Sequence, residues 1–281
     1  MRWTGRRESG NVEDRRGMGG PIAIGGGILG VIVLLVNMFL GGDVDVSQLP
    51  IPGQQQTQPM SEEQKAADDT KAQFVRVVLA ETEDVWNQIF SQAGSQYQET
   101  TLVLFSGGTQ SGCGSATSAS GPFYCPGDNK LYIDLSFYDE LQQRFGAPGD
   151  FAMAYVVSHE VGHHVQTLLG TTDKLAQLRG RVSQEEYNKF SVMFELQADF
   201  LAGVWAHHTK NKQLLEEGDF EEAMNAANAI GDDRLQKEGQ GYTVPESFTH
   251  GTSQQRMYWF KKGYETGDVS QGNTFNDPRL R

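Results

Sequence analysis

The chain has 281 residues and a net charge of −13, from 36 acidic and 23 basic side chains. That acidity argues against a nucleic-acid partner, whose phosphates a basic surface would have to neutralise. No internal repeat is present, so the chain reads as an ordinary globular domain with an unusual beginning.

Residues 1–20 carry Arg2, Arg6, Arg7, Arg15 and Arg16 against Glu8, Glu13 and Asp14, a net +2, which leaves −15 for the remainder. Residues 21–40 follow as an apolar stretch whose one strongly polar member is Asn37, long enough to cross a bilayer as a single helix. No Lys or Arg occurs from 41 to 64. The asymmetry predicts a single-pass plasma-membrane anchor with a cytoplasmic N-terminus and everything after Leu40 outside. Leu40 is followed by Gly41, Gly42 and Asp43 rather than a small-residue cleavage site, so the anchor is expected to be retained. Gly26 and Gly30 fit a small-residue helix-packing face, which gives an expectation of weak self-association through the anchor. Residues 41–60 are rich in Gln and Pro and read as a linker, leaving 61–281 as one substantial domain.

Within that domain, residues 61–93 predict a helix with Phe74, Val78, Val85, Trp86 and Ile89 facing inward. Residues 100–105 and 131–137 are strand-like, the second alternating polar and apolar positions just upstream of the next helix. It is either a core strand or an exposed edge, and an exposed edge is a natural template for an extended peptide. Between them lie Cys113 and Cys125, the chain's two cysteines, in a Gly-, Ser- and Thr-rich segment. An even count in an exported domain predicts one disulfide, with no further Cys or His nearby to suggest a metal site.

Residues 150–169 run as a proline-free helix, with a break and probable cap at Pro148, Gly149 and Asp150 and a stop at Gly170. Gly162 in its middle marks close backbone packing. On this helix His159 and His163 stand one turn apart on one face and can reach one ion, with Glu160 beside them. His164 lies about 100° around the helix from His163 and is not expected to join them. Two imidazoles need a third protein ligand, with a fourth position left for water. The next helix, opened by Ser183 and Glu186, carries Glu195 and Asp199 one turn apart among phenylalanines. Buried carboxylates there call for a cation or hydrogen bonds. Glu195 is expected as third ligand and Asp199 as the group that orients a histidine. His207 and His208 lie roughly 18–20 Å further along the axis and read as helix-end residues. Further on, His250 precedes a helix capped by Thr252 or Ser253. His250 and Arg256 are the candidate donors to an oxyanion, His250 the preferred one.

These residues resemble the bacterial neutral zinc metallopeptidase family. The resemblance runs from Met1, Arg2 and Trp3 and the Asn11-Val12-Glu13-Asp14-Arg15-Arg16 run through Gly112-Cys113-Gly114, residues 121–126, the His159–Gln166 run, Glu195 to Asp199, and His250 to Arg256. It implies an α+β, mostly helical zincin-like domain with a small β element, preceded by one transmembrane helix. It also implies Zn2+ held by His159, His163 and Glu195, with Glu160 as general base. The wider group of glutamate-ligand zinc peptidases shares the downstream Glu-x-x-x-Asp helix, which supports Glu195. The expected function is hydrolysis of exported proteins or peptides. The rival expectations are a catalytically idle zinc-binding domain tethered as a scaffold, hydrolysis of a non-peptide amide, and a purely structural zinc.

Overall fold

The computed structural model describes residues 1–17 and 61–280 of the chain. The fold is α+β and mostly helical, with one small sheet. The predicted anchor at 21–40, its glycine packing face and the linker at 41–60 lie outside the described residues. Among the described residues no helix is long and apolar enough to cross a membrane.

Strand β1 (Val12–Asp14) comes first, followed by helix α1 (Glu62–Gln92), opened by a capping box between Ser61 and Gln64. Strands β2 (Thr101–Phe105), β3 (Gly108–Ser111), β4 (Gly114–Thr117), β5 (Phe123–Cys125) and β6 (Lys130–Asp134) follow. The sheet order is β1-β2-β6-β5, with β1, β2 and β6 parallel and β5 antiparallel to β6, while β3 and β4 form a separate hairpin. Side chains of β2 alternate between faces. Leu102 and Leu104 join the main core with Val78, Leu79 and Trp86 of α1. Val103 and Phe105 pack on the other face with Cys125 and Tyr132.

The remainder is helical: α2 (Phe137–Gln143), α3 (Asp150–Leu168), α4 (Thr171–Leu178), α5 (Gln184–Thr209), α6 (Asp219–Ala229), α7 (Asp232–Gln240) and α8 (Ser253–Thr266). Helices α3, α5, α6 and α8 pack around Tyr155, Phe151, Phe200, Trp205 and Phe260, all fully buried. Two close crossings set the spacing. A Cβ on Gly162 of α3 would stand 3.0 Å from the Ala198 carbonyl oxygen of α5. One on Gly203 of α5 would stand 2.1 Å from the Phe260 carbonyl oxygen of α8, and Gly263 meets Phe200 in the same way. Only glycine permits such an approach.

Several expectations change. The strand predicted over 131–137 ends at Asp134, whose carboxylate accepts the Ser136 backbone N–H (3.0 Å), and Phe137 already belongs to α2. It lies between β2 and β5, so the free edge belongs to β5. The break at 148–150 holds the N-cap of α3, at Gly149. The first-turn N–H of Phe151, which has no partner within the helix, is taken up by Glu222 of α6 (2.9 Å), while Asp150 binds the amino group of Met1 (2.9 Å). His207 and His208 do close α5, but they bond carbonyls of Tyr264 and Gly267 at the end of α8.

The largest change concerns residues 1–17, expected as a separate basic segment across a membrane from the domain. They are part of its body. Strand β1 pairs with β2 in register Val12–Leu102, and Trp3 packs edge-on against Phe74. Arg6 bonds Glu81 (2.9 Å), Arg7 bonds Glu83 (3.0 Å) and Asp84 (2.8 Å), and Arg16 reaches Asp69 (3.0 Å). The arginines counted as a topology signal are thus ion-paired with carboxylates of the folded chain. In the full-length protein, Arg6→Glu and Glu81→Arg should each destabilise by about 1–3 kcal/mol. The double exchange should recover part of that loss. Thermal unfolding of the four proteins reads the coupling, and strictly additive losses would mean the two residues do not meet.

Candidate metal centre

His159 and His163 project from α3 toward Glu195 of α5. The ligating atoms of the three residues all lie within 4.8 Å of one another. Glu195 Oε2 is 3.2 Å from His159 Nε2 and 3.4 Å from His163 Nε2. Donors about 2.0–2.1 Å from a tetrahedral ion stand about 3.3 Å apart, so the triad fits zinc without rearrangement. A two-imidazole, one-carboxylate donor set with an open fourth position is a catalytic zinc set rather than a closed structural one.

Each imidazole is oriented by its other nitrogen. His159 Nδ1 donates to Asp199 Oδ1 (2.8 Å) and His163 Nδ1 to Gln166 Oε1 (2.8 Å). Both Nε2 atoms face Glu195 and are the nitrogens offered to an ion. Gln166 is itself fixed by donating to the Phe194 carbonyl (2.7 Å), and Phe194 stacks on the His163 ring.

Asp199 is fully buried and accepts from four directions. Besides His159, it takes Arg256 Nε on Oδ2 (2.9 Å), Arg256 Nη2 on Oδ1 (3.0 Å) and the Tyr155 hydroxyl (2.5 Å). Burial opposes its charge, but Arg256 and His159 outweigh that and hold its pKa at about 2. Burial likewise opposes charge on His159, yet Asp199 and Glu195 raise it to about 10. The cluster therefore favours one added positive charge, and an ion entering at Nε2 must displace a proton. Arg256, a candidate oxyanion donor from the sequence, is buried behind His159 and engaged by Asp199, Tyr155 and the Ile230 carbonyl. It is not free to meet a substrate.

Glu160 is buried beside the triad, and burial raises its carboxyl pKa above the usual carboxylate range. Its Oε2 accepts the backbone N–H of Tyr124 on the edge strand β5 (2.8 Å). Cys113 and Cys125 form a disulfide that ties the β3–β4 turn to the end of that strand. His250 is half-exposed, and its Nδ1 faces Asp232 Oδ1 (3.3 Å) and Thr249 Oγ1 (3.0 Å). Burial opposes charge on His250, but Asp232 and the nearby Glu195 raise its pKa. Asp232 also accepts the backbone N–H groups of Thr249, His250 and Gly251 (2.7, 2.6 and 3.0 Å). Neither Asp232 nor the Tyr124 amide could be read from the sequence. A second carboxylate group, Asp150, Asp219 and Glu222, is already engaged by the Met1 amino group and the Phe151 amide.

Comparison with known proteins identifies the family. The family described as "Putative neutral zinc metallopeptidase" matches residues 1–275, and the chain belongs to that family. It is 51% identical over 287 residues to the uncharacterized protein YpfJ of Escherichia coli (strain K12), covering 98% of this chain and 99% of that protein. An uncharacterized protein of Mycobacterium tuberculosis is 38% identical over 258 residues, covering 85% of each. No solved structure matches the chain.

The purified protein should take up one zinc, and Glu195→Ala should abolish uptake as measured by metal analysis. Asp199→Asn should retain stoichiometry but weaken affinity about 10–100-fold in a chelator competition. Because His159 holds its proton up to about 10, affinity should rise as pH increases from 6 to 8. A pH-independent affinity would remove His159 from the ligand set.

Proposed function

We propose that this chain is a zinc-dependent peptidase acting on exported proteins or peptides. The observation that carries the reading is a carboxylate that is not a ligand, Glu160, set between a zinc-fitting triad and the free edge of a β-strand. A structural zinc site has no use for such a group. Zinc held by His159, His163 and Glu195 would polarise the scissile carbonyl and lower the pKa of a coordinated water.

Glu160, its pKa raised by burial, accepts the proton of the attacking water and delivers it to the leaving nitrogen as the C–N bond breaks. Its hydrogen bond from Tyr124 fixes the carboxylate on the cleft side. His250, held at Nδ1 by Asp232, offers Nε2–H to the carbonyl oxygen as negative charge develops there. Tyr124 bonds away from β6 and so marks the outward edge of β5, the edge offered to an extended peptide once Glu160 releases the Tyr124 N–H. The disulfide supports an oxidising, extracytoplasmic location. The apolar stretch 21–40 is the proposed membrane attachment, with residues 1–17 and the domain on the same face.

Glu160→Gln should keep zinc and fold but lose about 10²–10⁴ in the rate of peptide cleavage. A diverse peptide mixture incubated with and without chelator supplies the substrate for that comparison. Equal cleavage by wild type and variant would sink the general-base role. Zinc binding with no cleavage by either protein would favour the tethered scaffold.

A further inference from the structure

The active-site helix grips the edge strand at a single residue, and it does so with two side chains. Glu160 and His164 stand four positions apart on α3 and therefore share one face. Glu160 Oε2 takes the backbone N–H of Tyr124 (2.8 Å), and His164 Nδ1 meets the Tyr124 hydroxyl (3.0 Å). On its other side, His164 Nε2 lies 2.6 Å from the Gln98 carbonyl oxygen. A carbonyl can only accept, so Nε2 carries the hydrogen and Nδ1 is left as an acceptor facing the Tyr124 hydroxyl, whose one hydrogen is shared with Asn129 Oδ1 (2.8 Å). The ring is 2% exposed and packed edge-on against Tyr97 (5.7 Å) and tilted against Tyr124 (5.3 Å).

Strand β5 has only three residues, so ladder bonds alone hold it weakly. The Cys125 disulfide, the stacking of Phe123 on Tyr132 (4.9 Å) and the Tyr124 hydroxyl on Asn129 Oδ1 (2.8 Å) also hold it, all on the sheet side. The link from the strand to the helix that carries the reacting groups runs through Tyr124. A leucine or phenylalanine at 164 would fill the same volume without meeting either polar partner.

We propose that His164 is a positioning residue that fixes β5 against α3, so that an extended peptide pairing with the strand edge is aligned with Glu160. This rests on the peptidase reading for its consequence, but its structural half can be tested without any substrate. The full-length, zinc-loaded wild type would be compared with His164→Leu, Tyr124→Phe and the double variant. Amide exchange at residues 123–125 should rise about tenfold in each single variant, the equivalent of one lost hydrogen bond, with zinc content unchanged. The double variant should lose less than the sum of the two single variants, and Asn129→Ala reports the hydroxyl's other bond separately. For cleavage, the loss in kcat/KM for a peptide of about eight residues should exceed that for a short blocked amide about tenfold, chiefly through KM, because only the long peptide spans the strand.

Unchanged exchange in the folded variants would overturn the proposal, as would equal losses for long and short substrates. Should His164→Leu fail to fold, Tyr124→Phe carries both readouts. If the wild type cleaves nothing, the peptidase reading fails, and the exchange measurement still decides whether His164 holds the strand.

Discussion

A charged carboxylate with no access to water has to be surrounded by donors, and Asp199 meets that demand with side chains from two other helices. Its partners are Tyr155 and His159 on α3 and Arg256 on α8, while Asp199 itself sits on α5. Removing any one partner would leave an under-compensated charge in the interior, where breaking a buried pair costs about 3–5 kcal/mol. The helices are therefore locked at the point where the metal-binding imidazole emerges. Stability of the helical body and orientation of His159 are one constraint. This accounts for Tyr155 and Arg256, two polar groups that touch no substrate and yet lie in the middle of the core.

The N-terminal residues apply the same logic at the surface of the domain. The acidic face of α1 presents Glu81, Glu83 and Asp84, and Arg6 and Arg7 cover it. Strand β1 completes an edge of the sheet that β2 would otherwise expose. An arginine count made along the sequence treats each guanidinium as free to respond to a membrane. Once paired with carboxylates of the folded domain, those charges no longer report topology.

The parts of the site legible in the sequence are those with short-range spacing. His159 and His163, or Glu195 and Asp199, are one helical turn apart, and a turn is visible in any linear reading. Caps at Ser183 and Thr252 are similarly local. What stayed hidden depends on the backbone path between distant segments. Asp232 meets His250 across eighteen positions, and it does so mainly by accepting backbone amides that no side-chain pattern announces. Tyr124 contributes its main-chain N–H, so its side-chain type carries no trace of that contact. Parallel pairing of β1 with β2 spans about ninety residues, and a three-residue strand has no periodicity to detect. Gln166 lies between these extremes, since its three-residue spacing from His163 was available, but its donation to the Phe194 carbonyl was not.

The metal centre finally depends on how close two helices can come. Glu195 reaches both imidazoles with donor separations of 3.2 and 3.4 Å, close to the edge of a zinc tetrahedron. Gly162 lies one residue before His163, and Ala198 one before Asp199, and it is there that α3 and α5 nearly touch. A side chain at 162 would meet backbone rather than a flexible side-chain end, so relief requires moving a helix. A shift of even half an ångström is comparable to the tolerance of a preorganised site. The glycine that weakens α3 as an isolated helix is thus what allows the ligand on α5 to close the triad.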